Sequence, residues 1–232
     1  MRALPILAAV MLQLVVLPIA TAAEMPRYVT GQAFIYDNGR VERVHEVEGE
    51  RVVWAARTGR TYVRNANIIV PILEWTYRGQ RGRRVISGDP ASLWPLRPGA
   101  RAQFSAINFT LDSRERTRRS LHLWTCNVRA IQRVEVPAGS FDAFPIVCDR
   151  YSPNSMRIVE RLTWHYAPDV GHYIRREARD MLDGVGEIYS LYAALPPRAA
   201  NPARVETLAR EAIERRGAQL SRLPPERHRI AD

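Results

Sequence analysis

Two histidines and an aspartate lie close together in the segment "TWHYAPDVGHYIRRE", residues 163–177. If the chain reverses between the histidines, His165 and His172 would face each other across two strands. With Asp169 they would offer two nitrogens and one oxygen to a metal ion. Proline, aspartate and glycine are also the residues that a hairpin turn requires. No third nearby histidine and no HExxH motif supports a metal, so the sequence favours a plain hairpin, and we expect no metal and no cofactor.

A second pair of groups with chemical potential is Glu46 and Glu48, which share one face of a predicted strand. Paired carboxylates can exchange protons in catalysis, but a solvated strand face explains them equally well. The chain has no Gly-x-Ser-x-Gly elbow. We therefore assign no catalytic residue and favour a non-enzymatic protein. The alternative is a metal-dependent or other hydrolytic enzyme that uses His165, Asp169 and His172.

Aromatic residues recur at alternating positions of the predicted strands. This pattern would let them line a cavity for an apolar or sugar ligand, whereas the alternative is that they form the core of the sheet. The candidate ligand-binding residues are Trp54, Trp75, Trp124 and Trp164.

The two cysteines, Cys126 and Cys148, are predicted to form a disulfide. Between them the pattern is strand, turn, strand, with the turn centred near Ala138, so that folding at this turn brings the two cysteines close together. Disulfides persist in exported proteins. Two buried thiols or a redox pair are the alternatives, although the Cys-x-x-Cys motif of redox pairs is absent.

Short runs rich in Val, Tyr, Phe and Trp, separated by turns, fill residues 24–195. Asp37-Asn38-Gly39 is a typical hairpin turn, and further turns follow at intervals of about ten residues. We expect about ten strands with little helix between them. The predicted fold is mainly β, with a curved antiparallel sheet, either a half-barrel or a β-roll meander, and a C-terminal helix.

Two segments interrupt this pattern. Residues 78–84, "RGQRGRR", are predicted to form an exposed tip, with an anion-binding loop as the functional alternative. Residues 87–100 contain three prolines and cannot form a regular strand. Leu93, Trp94 and Leu96 would let this second loop pack over one end of the sheet.

The two ends of the chain have their own signals. Residues 1–23 are predicted to be a signal peptide, because an apolar run follows Arg2 and Ala20-Thr21-Ala22 matches a cleavage site, with a second choice one residue later. Residues 196–232 are predicted to contain a proline-rich linker, an amphipathic helix over residues 203–216 capped by Asn201, and a disordered tail.

The charge of the chain limits its partners. The formal net charge is +10, and all 34 basic residues are arginines spread along the sequence. Nucleic-acid readers concentrate such residues on one face, and we expect no nucleic-acid partner. Weak contact with anionic lipid or polysaccharide is compatible with this charge.

Residues 134–150, "VEVPAGSFDAFPIVCDR", together with residues 163–177, resemble a pattern in exported bacterial proteins of unknown function, including TapB-like domains. The shared features are a Pro-Ala-Gly turn followed by Phe-Asp-x-Phe, and a later Tyr-Ala-Pro-x-Val-Gly turn. The resemblance implies a curved or half-barrel antiparallel sheet in the periplasm or envelope, and it implies no catalytic residue.

These observations predict a non-catalytic periplasmic or envelope protein. It would bind an apolar or lipid-like ligand or another envelope component. A structural partner protein that docks through its C-terminal helix is a further alternative.

Overall fold

The structure is a computed structural model that describes residues 22–77, 79–111 and 116–221. Most of the predicted signal peptide and the whole of the predicted disordered tail lie outside these ranges. The strands of the described chain are β1 Ala33–Tyr36, β2 Val41–Glu48, β3 Arg51–Ala56, β4 Thr61–Asn65, β5 Glu74–Tyr77, β6 Gln80–Gly88, β7 Arg101–Leu111, β8 Thr117–Val128, β9 Gln132–Val136, β10 Gly139–Tyr151, β11 Ile158–Ala167, β12 His172–Asp180 and β13 Gly186–Leu195. The helices are two short 3-10 helices, Pro90–Leu93 and Pro197–Ala199, and α1, Pro202–Leu220.

The strands form one antiparallel sheet that closes on itself. Its order is β11-β12-β13-β1-β2-β3-β4-β5-β6-β7-β8-β10, and β10 also pairs with β11, so twelve strands form a closed barrel. β9 stays outside this ring, and among the described strands it pairs with the first residues of β10 alone. The prediction of a mainly β, antiparallel fold is confirmed, whereas the half-barrel was wrong. Closure gives strands β10 and β11 partners on both sides, and unpaired strand edges are a liability in any open sheet.

Alternating residues of each strand face the barrel interior. In β7, Ala102, Phe104, Ala106 and Asn108 are buried, while the residues between them are more exposed. This is the two-residue period of a strand that is covered on one face. The interior therefore receives every second side chain, whatever its polarity.

One end of the barrel is filled with apolar side chains. Phe34 and Trp54 pack there, and the loop between β6 and β7 covers them with Leu93 and Leu96, both completely buried. Trp94 donates its indole N–H to Asn67 Oδ1 at 3.0 Å, which attaches this loop to the link between β4 and β5. The prediction that this proline-rich loop packs over one end of the sheet is confirmed.

Helix α1 packs on the outside of the barrel. Asn201 caps it, since the side chain accepts a hydrogen bond from the backbone N–H of Arg204 at 2.9 Å. Val205, Ala209 and Ala212 are buried against the outward face of β1 and β13. Most of the apolar face of the helix is therefore covered by its own sheet, whereas Ile213 remains 43% exposed. A partner that docks through this helix stays a prediction. Within the described ranges, no helix combines the length and the apolar character needed to cross a bilayer.

Cys126 and Cys148 form the predicted disulfide. They are directly opposite each other on the paired strands β8 and β10, and both are fully buried inside the barrel. The turn near Ala138 joins β9 to β10, so β9 is an additional strand between the two cysteine-bearing strands in sequence. The bond ties together two residues that are 22 positions apart in the sequence.

We expect the Cys126→Ala/Cys148→Ala double variant to unfold at lower urea concentration than the wild type. Removing a cross-link over a loop of this length costs about 3 kcal/mol in the chain-entropy model. Urea denaturation followed by tryptophan fluorescence measures the loss. Wild type with dithiothreitol present throughout is the control and should approach the stability of the variant. Equal stability of variant and oxidised wild type would contradict the structural role of the bond.

Candidate functional site

A polar cavity occupies the other half of the barrel interior. It extends toward the hairpin end, defined here as the end where the turns β1–β2, β3–β4, β5–β6, β7–β8, β10–β11 and β12–β13 lie. Its volume is about 390 Å³. We call it the arginine cavity, because its charged and aromatic lining consists of Arg40, Arg64, Arg84, Arg150, Arg176, Glu160, Glu187, His122, Trp124 and Trp164.

Strand register places these side chains together. Arg150 of β10 lies directly between Trp124 of β8 and Glu160 of β11. Arg176 of β12 is opposite Trp164 of β11. Because cross-strand partners share one face of a sheet, these residues all face inward. The disulfide lies two residues deeper on β8 and β10, at the inner limit of the cavity.

Glu42 forms the boundary between the cavity and the packed half of the barrel. It is completely buried. Its Oε1 accepts hydrogen bonds from Arg40, at 3.0 Å from Nε and 2.8 Å from Nη2, and lies 3.5 Å from Arg64 Nη1. Burial alone would raise the pKa of this carboxyl, but Arg40, the hydrogen bond with His172 and Arg64 together hold its pKa well below the usual range. Glu42 is therefore ionised and positions two arginines at the cavity wall.

The second oxygen of Glu42 faces the packed half. Oε2 accepts a hydrogen bond from the Tyr173 hydroxyl at 2.7 Å and lies 3.2 Å from His172 Nε2. The Tyr28 hydroxyl lies 2.7 Å from His172 Nδ1. A carboxylate can only accept, so Nε2 carries the proton and Nδ1 accepts from Tyr28. Burial lowers the pKa of His172 although Glu42 opposes this shift, and the ring is neutral and stacked on Phe34 at 4.1 Å between centroids.

Two ion pairs lie at the mouth of the cavity. Arg150 Nε is 2.8 Å from Glu160 Oε2, and Arg176 Nη1 is 3.5 Å from Glu187 Oε2. These pairs neutralise two of the five cavity arginines.

Arg84 differs from the other cavity arginines because it lacks an acidic partner. Among the residues that the structure describes, no carboxylate lies within 4 Å of its guanidinium. It donates instead to Asn108 Oδ1 at 2.6 Å and to the Ile72 carbonyl at 2.8 Å. Burial and the nearby Arg64 and Arg150 lower its pKa to about 10, although Glu160 opposes this shift. Arg84 is a partly buried cation that neighbouring cations destabilise.

Two tryptophans belong to the aromatic lining of the cavity. The indole N–H groups of Trp124 and Trp164 are buried and have no partner within the described part of the chain. Buried polar groups usually find a partner. His122 is close by. Burial together with Arg150 and Arg84 lowers its pKa, so its imidazole is neutral and can both donate and accept a hydrogen bond.

The balance of charge makes the cavity suited to anions. Five arginines meet three carboxylates, Glu42, Glu160 and Glu187. Guanidinium groups bind carboxylates and phosphates with paired hydrogen bonds. Among the described residues no group of three histidine, cysteine or acidic side chains is placed to hold a metal ion.

The three predicted metal ligands are separated in the structure. His165 points to the outside of the barrel, where its ring nitrogens lie 3.2 Å from Gln132 Nε2 and 3.1 Å from Glu177 Oε1. His172 points into the interior, and Asp169 is exposed on the turn between β11 and β12. The hairpin interpretation of this segment agrees with the structure. A register shift between His165 and Tyr166 puts the two imidazoles on opposite faces of the sheet.

The remaining candidate residues are distributed between core, cavity and surface. Trp124 and Trp164 line the cavity, whereas Trp54 is packed in the apolar half beside His172. Trp75 stacks under the Arg84 guanidinium at 4.5 Å. Glu46 and Glu48 are exposed, as their interpretation as a solvated strand face predicts.

Sequence reasoning missed Glu42 and Arg84. Arg84 lies in the arginine- and glycine-rich run that was predicted to be an exposed tip, but most of that run belongs to strand β6. Arg84 lies two residues before Ile86, which faces the core. This two-residue spacing puts both side chains on the same face of the strand and was the signal that could have identified Arg84. Glu42 shares one face of β2 with Val44. The opposite face of β2 also begins with a valine, so the alternation of side chains along the strand could not show whether Glu42 faces inward or outward.

Comparisons with known proteins do not establish a family. No family model matches the chain, and no curated protein matches it. Solved structures that resemble the fold include three from bacteria. The hypothetical lipoprotein YmcC from Escherichia coli is 9% identical, with a TM-score of 0.47 over 71% of this chain and 84% of that one. A protein provisionally described as a lipoprotein from Parabacteroides distasonis is 14% identical, with a TM-score of 0.37 over 75% and 100%.

The third structure is provisionally described as an exported protein with a YmcC-like fold, from Bacteroides fragilis. It is 13% identical, with a TM-score of 0.37 over 76% of this chain and 100% of that one. Identities this low with TM-scores below 0.5 do not show a shared family. The resemblance to TapB-like domains stays a prediction.

The buried His172 makes stability depend on pH. Its folded-state pKa is below the ordinary value of 6.5, so below about pH 6.5 the unfolded chain binds a proton that the folded chain does not. The free energy of unfolding should therefore fall between pH 7.5 and pH 5.5, by at most about 1.4 kcal/mol per pH unit for one proton. His122 contributes with the same sign. Urea denaturation at several pH values measures this slope.

The His172→Gln variant should have a shallower slope than the wild type, whatever its absolute stability. His165→Gln is the matched control, because it removes a histidine of the same hairpin that does not contact Glu42, and it should retain the part of the slope that comes from His172. An unchanged slope in His172→Gln would contradict a neutral, buried His172.

Proposed function

We propose that this protein is a non-catalytic binding protein that holds a small anionic ligand, or the acidic group of a larger one, in the arginine cavity. The observation that carries the proposal is Arg84, a partly buried cation with no carboxylate partner among the described residues; burial and nearby arginines lower its pKa to about 10. The predicted ligand was apolar or lipid-like, or another envelope component; the proposal adds that the ligand carries an acidic group.

An anion would relieve the electrostatic cost of this arrangement. Like charges that are held together in a region of low polarity repel strongly, and a ligand carboxylate or phosphate beside Arg84 supplies the missing counter-charge. Arg150 lies on the same interior wall, with only its Nε committed to Glu160. Both guanidinium groups can then donate to one ligand group through paired hydrogen bonds.

The tryptophans supply the remaining contacts. Trp124 and Trp164 line the cavity. Their indole N–H groups are buried, so the contact that they offer a ligand is aromatic surface. A cavity of about 390 Å³ has the size of a small-molecule site. Aromatic faces bind sugar rings or acyl chains, so the ligand that fits best joins an acidic group to an apolar or sugar-like part.

Export to the periplasm or envelope is part of the proposal. The apolar N-terminal run with its cleavage pattern and the disulfide both suit an oxidising compartment outside the cytoplasm.

The Arg84→Gln variant tests the binding site. We expect inorganic phosphate, glycerol 3-phosphate or glucuronate to raise the melting temperature of the wild type at constant ionic strength, and glycerol and glucose to leave it unchanged. Arg84→Gln should bind the same anion at least tenfold more weakly. Without ligand it should be at least as stable as the wild type, because it removes an uncompensated cation. Differential scanning fluorimetry and isothermal titration calorimetry measure both effects.

The matched control is Arg133→Gln. Arg133 is on the surface, where it pairs with the exposed Asp142 at 3.3 Å, and its loss should not change anion binding. If Arg84→Gln and Arg133→Gln bind the anion equally well, or if no anion stabilises the wild type more than its neutral counterpart, the cavity is not an anion site.

We also propose which of the two adjacent cleavage sites the signal peptidase uses. Ala23 is buried, and its backbone forms two hydrogen bonds with Leu96, at 3.1 and 2.7 Å. Cleavage after Ala22 preserves both bonds, whereas cleavage after Ala23 removes them. We expect N-terminal sequencing of protein secreted by a bacterial host to begin at Ala23, and a chain that begins at Glu24 would show that this bridge is dispensable.

A further inference from the structure

Four large apolar side chains are exposed on two hairpin turns at the hairpin end of the barrel. We call them the apolar rim: Met156, Met181, Leu182 and Val185, which are 61%, 38%, 66% and 57% exposed. Met156 belongs to the turn between β10 and β11, and the other three belong to the turn between β12 and β13. Contiguous exposed apolar groups at protruding turns are typical of interaction sites.

The rim is an ordered feature of neighbouring strands. Met181 donates its backbone N–H to the Val159 carbonyl at 3.1 Å, which joins the two hairpins. Asp180 and Asp183 each accept a backbone hydrogen bond, from Leu182 at 2.7 Å and from Val185 at 2.8 Å. These bonds hold the turn in a conformation in which both apolar side chains point away from the barrel.

The rim borders the mouth of the arginine cavity. Glu160, which lines the cavity, is directly opposite Asp180 at the base of the β12–β13 turn. Glu187, also in the lining, is two residues beyond Val185. A surface that contacts the rim therefore covers the entrance to the cavity.

The charges around the rim indicate what kind of surface would contact it. Exposed arginines occupy the same end of the barrel, at Arg60, Arg118, Arg157 and Arg179. Asp180 and Asp183 use one oxygen each inside the turn. Apolar tips at the same end of the barrel as these arginines match a bilayer whose head groups are anionic, because the tips enter the acyl boundary while guanidinium groups remain among phosphates.

We propose that the hairpin end docks on an anionic lipid bilayer through the apolar rim, and that the cavity takes the acidic head group of an amphiphile from that bilayer. The second part rests on the proposed function, and the docking itself does not. Few apolar side chains enter the bilayer, so the attachment is reversible and weakens as salt screens the arginines. Docking brings the cavity mouth to the surface where acidic amphiphiles are concentrated.

Vesicle sedimentation of the full chain tests the docking. We expect binding to phosphatidylcholine vesicles that contain 30% phosphatidylglycerol, at least tenfold weaker binding to pure phosphatidylcholine, and a loss of binding in 0.5 M NaCl. Leu182→Ser/Val185→Ser should bind the anionic vesicles at least tenfold more weakly than the wild type. Its melting temperature should not change, since both side chains are exposed.

Val29→Ser/Val85→Ser is the matched control, because it removes two exposed valines that lie away from the rim, and it should bind vesicles as the wild type does. If the rim variant binds vesicles as well as this control, or if the wild type binds neither vesicle type, the docking proposal is overturned. Wild-type protein that binds no vesicles but recovers a protein partner through the rim also overturns it.

A soluble short-chain phosphatidylglycerol separates the two proposals. We expect it to bind the wild type and the rim variant equally, and to bind Arg84→Gln at least tenfold more weakly, while Arg84→Gln still sediments with vesicles. Loss of head-group binding in the rim variant would overturn the proposed path into the cavity. Equal head-group binding by Arg84→Gln and the wild type would overturn the proposed function and leave the docking intact.

Discussion

The buried carboxylate of Glu42 is the interaction on which the interior of this barrel depends. One oxygen positions Arg40 and Arg64 at the cavity wall, and the other accepts hydrogen bonds from the packed half through His172 and Tyr173. A buried ion is tolerated only when opposite charges and hydrogen bonds satisfy it. Glu42 finds these partners in both halves of the barrel. Its carboxylate therefore connects the apolar half to the polar half.

Closure of the sheet explains why the cavity exists at all. An open curved sheet would leave the arginines of β4, β6, β10 and β12 facing water, where their mutual repulsion is weak. The pairing of β10 with β11 encloses them, and enclosure converts scattered basic residues into one site with unbalanced charge. The proposed anion site therefore depends on closure of the sheet, because the arginines that form it are scattered along the sequence.

Several features were predictable because their causes are local. The Asp37-Asn38-Gly39 turn, the Asn201 cap and the apolar face of α1 depend on residues that are neighbours in sequence. The disulfide was predictable from two cysteines in a chain expected to be exported. Half of the candidate tryptophans line the cavity. His165 and His172 were predicted as one group, but a single register shift in the hairpin separates them.

The sequence by itself determined an antiparallel β fold with a capped C-terminal helix, a disulfide and a packed proline-rich loop. These follow from two-residue alternation, turn chemistry and capping, which act over a few residues. Only the tertiary structure decided that the sheet closes, that Glu42 and Arg84 face inward and that Arg84 has no carboxylate partner in the part of the chain that the structure describes. Alternation defines two faces of a strand but does not say which one is enclosed, and a partner for a buried charge comes from strands distant in sequence.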